Sequence, residues 1–162
     1  MRIGVVSDTH GHLAYTRRAV EALGRYELET VLHCGDVGSA EIVPLFDRWM
    51  THFVFGNVDY YDERTLSKAI EAAGQTCHGH IGSLELDGLR IALIHSDNQQ
   101  LFRETIAGQQ WDLVCYGHTH VAEHHLEGRT LVLNPGAVFR ANPRTVSVVT
   151  LPSLDVEVVE LS

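Results

Sequence analysis

The sequence predicts an α/β fold in which two β-sheets pack face to face with helices on the outside. Three observations carry that expectation. Apolar runs alternate with helical patterns in the first part of the chain, as in parallel strands joined by right-handed crossovers. Beyond it, strands dominate and tight-turn signals join them. The C-terminal third contains no clear helix at all.

Taken in order, "RIGVVS" reads as a buried strand, and Leu13 to Leu23 follows as a helix with Leu13, Val20 and Leu23 at helical spacing and Gly24 as its stop. "TVLHC" is a second strand. Residues 40–50 have Ile42, Leu45, Phe46 and Trp49 on one side and predict a second helix, and "HFVFG" predicts a third strand. Residues 63–73 align Leu66, Ile70 and Ala73, with Asp62 as cap and Gly74 as stop. "LELDGLRIALI" places Asp87-Gly88 between two apolar runs, a strong hairpin signal. Residues 99–107 form a short helix ending at Gly108, "DLVCY" is a strand, and "HHLEGRTLVLN" reads as a hairpin across Glu127-Gly128. "TVSVVTL" and "LDVEVVEL" alternate apolar and polar residues around Pro152-Ser153 and predict a closing antiparallel pair.

Composition narrows the function. A chain of 162 residues with 44% hydrophobic and 20% charged residues suits one domain, spanning 1–162, with a real core. The formal net charge of −9 argues against stable nucleic-acid binding, which relies on basic patches. A phosphate-bearing substrate remains compatible, because bound cations would invert the local field. Three cysteines, Cys34, Cys77 and Cys115, are too few and scattered for a disulfide framework and fit a reducing cytoplasm. "MRIGVV" runs straight into charged sequence, so no signal peptide is expected, and no apolar run has membrane-spanning length.

The positions of the 11 histidines are the most informative feature. Five apolar strands each end in a candidate metal ligand. "VVSDTH" supplies Asp8 and His10, "LHCGD" supplies Asp36, "VFGNVD" supplies Asn57, "ALIHSD" supplies His95, and "CYGHTH" supplies His118 and His120. Ligands bind outside the carboxyl ends of strands in open α/β sheets, so adjacent strand ends would bring these groups into one cleft. Singly, most have an ordinary reading as turn or strand-end residues. Together, four imidazoles, two carboxylates and one amide suit two ions sharing a carboxylate. Nitrogen and oxygen donors without thiolates favour Mn²⁺, Fe, Zn²⁺, Co²⁺ or Ni²⁺ over a structural zinc site.

In this order, D-x-H, G-D, G-N, a strand-ending His and G-H-T-H resemble the motifs of the calcineurin-like metallophosphoesterases. "SDTHG", "HCGDV" and the late "NPGA" at Asn134 to Ala137 are similar to those of its small, capless bacterial and archaeal phosphodiesterase branch. The resemblance runs from Met1 to about Val138. It implies a four-layer αββα sandwich, two mixed β-sheets flanked by helices. It also implies Asp8, His10 and His120 on a first metal, Asn57, His95 and His118 on a second, and Asp36 bridging them. Asp36, Asn57 and His95 would be the residues most directly involved in catalysis, and the nucleophile would be a hydroxide held between two divalent ions, expected to be Mn²⁺.

Two positions depart from the family pattern. Many members have a His after the G-N asparagine that protonates the leaving group; here it is Val58. General-acid assistance, worth about 10²–10⁴-fold, would then be absent or come from elsewhere. Ser96 stands after His95 where Gly is common. His12 and His33 could brace ligands, contact substrate or pack as ordinary polar residues, Asp59 could orient a ligating histidine, and Arg140 and Arg144, after "NPGA", could reach a substrate phosphate or be ordinary surface arginines. "CHGH", with His78 and His80, looks like a metal motif but lacks a partner cluster and predicts an exposed loop. His52 is expected at a strand edge, His124 and His125 on a solvated strand, and Trp49 in the core or at an interface.

The expected function is therefore a metal-dependent phosphoesterase, foremost a phosphodiesterase acting on small diesters. Its rivals are a non-catalytic interaction module on the same fold, a phosphomonoesterase and a nuclease. A homo-oligomer is compatible with the hydrophobic strands and Trp49.

Overall fold

The computed structural model describes residues 1–162. Its first sheet begins with strands β1 (Arg2–Val6), β2 (Thr30–His33), β3 (Met50–Phe53) and β4 (Thr76–Cys77), all mutually parallel. It is extended antiparallel by β10 (Thr145–Thr150) and β11 (Asp155–Glu160), in the order β11-β10-β1-β2-β3-β4. The second sheet, in the order β5-β6-β7-β9-β8, comprises β5 (Ile81–Leu86), β6 (Leu89–Ile94), β7 (Leu113–Cys115), β8 (Ala122–Glu127) and β9 (Thr130–Pro135).

Three apolar clusters define four layers. Ile3, Val5 and Leu32 of the first sheet meet Leu93, Leu113 and Leu133 of the second to form the inter-sheet layer. On the outer face of the first sheet, Val6, Val31 and Phe53 pack against Leu23, Phe46, Leu66 and Ile70. These belong to helix α1 (Leu13–Leu23), a 3-10 helix at Ala40–Phe46 and helix α2 (Glu63–Ala72). Helix α3 (Gln99–Ala107) covers the second sheet, with Ile106 in the same cluster as Ala92, Ile94 and Val114. The αββα sandwich with two mixed sheets is therefore the fold. Trp49 is a core residue, 7% exposed among the helix-side apolar groups.

The helices form where sequence periodicity and end signals place them. At the start of α1 the His12 imidazole accepts a hydrogen bond from the Tyr15 N–H at 3.3 Å, and Gly24 closes the helix. Residues 40–50 differ from expectation. Pro44 lies inside this segment, lacks an N–H and obstructs the carbonyl one turn back, and the chain makes a 3-10 helix before entering β3 at Met50.

Asp87 and Gly88 adopt φ values of 50° and 78°, the left-handed pair that a tight hairpin between β5 and β6 requires. The second hairpin is shifted by one residue from Glu127-Gly128. Strand β8 runs through Glu127, and Gly128-Arg129 forms the turn. The "CHGH" stretch is an exposed loop only at its end, where Gly79 and His80 form a turn and His80 is exposed. Cys77 pairs with Phe53 as the end of β4, and His78 is half-buried. His52 lies inside the sheet rather than at its edge, because β3 is flanked by β2 and β4. Cys34 and Cys115 are buried and unpaired, and burial pushes both thiols up. No helix is long and apolar enough to cross a membrane.

Candidate metal centre

The five strand ends do not lie side by side in one sheet. Strands β1, β2 and β3 are neighbours in the first sheet, while β6 and β7 are neighbours in the second. Their carboxyl ends face each other across the sandwich, and the site forms between the two leaves.

The loops that leave these strands turn abruptly. Asp8, His10, Asp36, His118 and His120 all adopt positive φ, between 46° and 74°. A left-handed backbone costs a non-glycine residue on the order of 1–3 kcal/mol, and several such residues together mark a functional site. The turns bring distant backbones into contact. A Cβ at Gly117 would collide with Ser7 Oγ and lie 2.8 Å from Asp8 Oδ2, so the G-H-T-H loop can approach β1 only with glycine there.

Asp8, His10, Asp36 and His120 offer ligand atoms that all lie within 4.8 Å of one another. Asp8 Oδ1 is 3.0 Å from His120 Nε2 and 3.5 Å from His10 Nε2, and the two imidazole nitrogens are 3.3 Å apart. Donors about 2.0–2.1 Å from one ion at tetrahedral angles lie about 3.3–3.4 Å from each other, so this triangle has the right size. Asp36 Oδ2 is 3.7 Å from His10 Nε2 and 3.2 Å from His95 Nε2, which places Asp36 between two groups of histidines. Beyond His95 lies His118, with ring centroids 5.2 Å apart, and His118 Nδ1 is 3.1 Å from Asn57 Oδ1. All seven sequence-derived candidates thus line one cleft, three on one side of Asp36 and three on the other.

Neighbouring groups hold the donors in orientation. His95 Nδ1 donates to the Cys34 carbonyl at 2.8 Å and His120 Nδ1 donates to the Arg140 carbonyl at 3.2 Å. A carbonyl can only accept, so these Nδ1 atoms carry the hydrogen and leave the Nε2 lone pairs for a cation. Asp8 Oδ2 accepts from Ser7 Oγ at 2.5 Å and from the His118 N–H at 3.1 Å, which turns Oδ1 inward. Asn134 donates to Gly117 O and Thr119 Oγ1 and accepts from Gly136 N–H, tying "NPGA" to the G-H-T-H loop.

Electrostatics agree with a cation site. Burial alone would raise the Asp8 carboxyl, but the neighbouring His10 imidazole, the hydrogen bond from Ser7 and the charges of His95 and His120 hold it at about 2. Burial alone would push His95 down, and Asp36, Asp8 and the Cys34 carbonyl outweigh it and raise it. Asp8 Oδ1 and His95 Nε2 are buried with no hydrogen-bond partner. Two buried lone-pair atoms without a partner, two carboxylates and no lysine or arginine among the candidates fit divalent cations. The absence of thiolates fits the N/O-binding metals.

The remaining polar residues near the motifs have different roles. His33 Nε2 is 3.0 Å from Thr9 Oγ1, whose hydroxyl donates to Val37 O, while His33 Nδ1 accepts from Gly35 N–H. It braces the D-x-H loop against the G-D loop, and burial lowers its imidazolium to about 3. His12 caps α1 and stacks on Phe139 at 4.3 Å. Asp59 orients no histidine; it accepts three backbone N–H groups instead. Ser96 has φ 84°, is 3% exposed and donates to Gly117 O, which ties the end of the His95 strand to the G-H-T-H loop. Arg140 lies over Phe139 and Arg144 over Tyr15. Ser7 stands outside the D-x-H motif, and its place beside Asp8 is the one sequence signal of its part in the site.

Comparison with known proteins agrees with this geometry. A sequence model of the calcineurin-like phosphoesterase superfamily domain matches residues 1–155. Phosphodiesterase MJ0936 of Methanocaldococcus jannaschii is 31% identical over 138 residues, covering 84% of this chain and 83% of that protein. The probable metallophosphoesterase YsnB of Bacillus subtilis is 26% identical over 141 residues, covering 85% and 75%. The solved structure of an archaeal phosphodiesterase superimposes with a TM-score of 0.91 at 28% identity, over 99% of this chain and 100% of that one. Residues that converge from two sheets on one cleft, in the motif order of that family, make this chain a member of the calcineurin-like phosphoesterase superfamily.

Proposed function

We propose that the chain, acting as one domain, is a phosphodiesterase that hydrolyses small diesters with two divalent cations in the cleft between its sheets. The observation that carries this reading is the position of Asp36, with three candidate ligands on either side of it. Asp8, His10 and His120 would hold one ion, Asn57, His95 and His118 the other, and Asp36 both. Mn²⁺ is the expected ion, and the cytoplasm the expected compartment.

When bound, the cations supply Lewis-acid activation of water and charge neutralisation at the phosphate. The chain's own residues do the rest. His95 and His120 keep their Nδ1 hydrogens on backbone carbonyls, so each presents a lone pair inward. Asp8 and Asp36 concentrate negative charge that makes the cleft selective for cations. Val58, 39% exposed beside Asn57, has no proton to give a leaving group. Esters with good leaving groups, such as aryl diesters, are therefore the preferred substrates.

The test is hydrolysis of bis(p-nitrophenyl) phosphate with added Mn²⁺, compared with Asp36→Ala. Turnover that depends on both metal and Asp36 is expected. Equal inactivity of both proteins with Mn²⁺, Zn²⁺, Co²⁺ and Ni²⁺ would overturn the reading.

A further inference from the structure

Asp59 is 1% exposed and has no lysine, arginine or histidine partner. Its carboxylate is held by main-chain amides alone. Oδ2 accepts from Val37 N–H at 3.1 Å and Gly56 N–H at 2.9 Å, and Oδ1 accepts from Gly38 N–H at 2.8 Å. Val37 and Gly38 follow Asp36 directly, while Gly56 directly precedes Asn57. A return bond runs from Val58 N–H to Asp36 Oδ1 at 3.0 Å. The loops after β2 and β3 are thus joined by one carboxylate and one amide, and they touch so closely that a Cβ on Gly56 would collide with Asp36 Oδ1.

Burying a carboxylate without a counter-charge is costly unless it is fully hydrogen-bonded. Here its bonds go to the two loops that carry the shared ligand and the amide ligand. The loop bearing Asp8 and His10 receives none of them.

We propose that Asp59 is a positioning residue for the second cation, fixing the separation of Asp36 from Asn57, while the loop bearing Asp8 and His10 is held to the Asp36 loop by its own main-chain bonds, from His10 N–H to Asp36 O and from Gly11 N–H to Val37 O. The inference rests on the two-ion reading above. An amide at residue 59 would turn an NH₂ group toward backbone N–H donors and lose part of the clamp. Groups that orient ligands in this way are worth about 10–100-fold in metal affinity.

The test titrates Mn²⁺ into the full-length wild type, Asp59→Asn and Asp59→Glu. Calorimetry reads the two affinities and electron paramagnetic resonance reads magnetic coupling between the ions. Asp59→Asn is expected to bind the first Mn²⁺ as the wild type does and the second about 10–100-fold more weakly, losing the coupled-pair spectrum at concentrations that saturate the wild type. Asp59→Glu, which keeps a charged acceptor, is expected to recover part of the loss. If Asp59→Asn does not fold, Asp59→Glu alone should show the selective weakening of the second ion. Wild-type affinity for both ions in either variant, or equal weakening of both ions, would overturn the proposal. A wild type without any coupled pair would refute the two-ion reading and the clamp with it.

Discussion

Two groups of histidines on this molecule behave in opposite ways. His10, His95 and His120 converge on Asp8 and Asp36, with His118 beside His95, and the carboxylates outweigh burial to raise His95. His52 and His78 meet instead at 2.9 Å between Nδ1 and Nε2, with stacked rings and no carboxylate beside them. Burial lowers both, His52 to about 4. His80, the remaining imidazole of "CHGH", has turned to Glu63 at 2.9 Å. Imidazole density does not make a cation site. Carboxylates that leave the imidazole lone pairs unsatisfied do, and where they are missing the rings satisfy one another.

The sharpest way to break this contrast is to remove the shared carboxylate. Asp36→Ala should lower turnover of bis(p-nitrophenyl) phosphate by about 10²–10⁴-fold, equivalent to several kcal/mol of lost charge stabilisation. Next in size are the individual imidazoles. His95→Ala and His120→Ala should each weaken Mn²⁺ binding by about 10–100-fold, measured as metal content after dialysis. His52→Ala and His78→Ala should leave metal content at the wild-type level. A variant of His95 or His120 that kept two metals per chain and full activity would erase the distinction. Val58→His should raise the rate by about tenfold or less, a fraction of what a well-placed acid supplies, and more for poor leaving groups than for good ones. A flat response across leaving groups would refute the missing-acid argument.

The smallest effect belongs to the second histidine pair. Unfolded imidazoles take up protons near pH 6.5, whereas folded His52, half-buried and stacked on His78, does so only near 4. The unfolded state binds more protons between those values, so stability should fall as pH falls through that window. Urea midpoints of the metal-stripped wild type and of His52→Phe/His78→Phe should diverge there, with the double variant less sensitive to pH. Parallel midpoints would show that the pair is as free to protonate folded as unfolded.

The seven candidate ligands were legible because each ends an apolar run, and strand ends are where α/β folds place chemistry. Most elements were legible for similar reasons: helical spacing in α1, α2 and α3, and Asp87-Gly88 for the β5–β6 hairpin. Other features left no local mark. A two-residue strand such as β4 is too short to show a period. Pro44 changes the kind of helix without changing its apolar face. The part played by Asp59 depends on main-chain donors from loops distant in sequence, and amides look alike in every residue. That β6 and β7 belong to a different sheet from β1, β2 and β3 follows from packing, which strand patterns do not encode.

Because the cleft is assembled from opposite leaves, its contents report on the union of the chain's two halves. Asp8 to Asn57 come from one half, and His95 to His120 from the other. A nascent chain that has emerged only as far as β4 holds an incomplete set of candidate ligands, so the complete site forms only when the sandwich closes. Once captured, ions that bind only the closed form add stability in proportion to the logarithm of their concentration. Metal supply would then govern how long the protein survives as well as how fast it turns over.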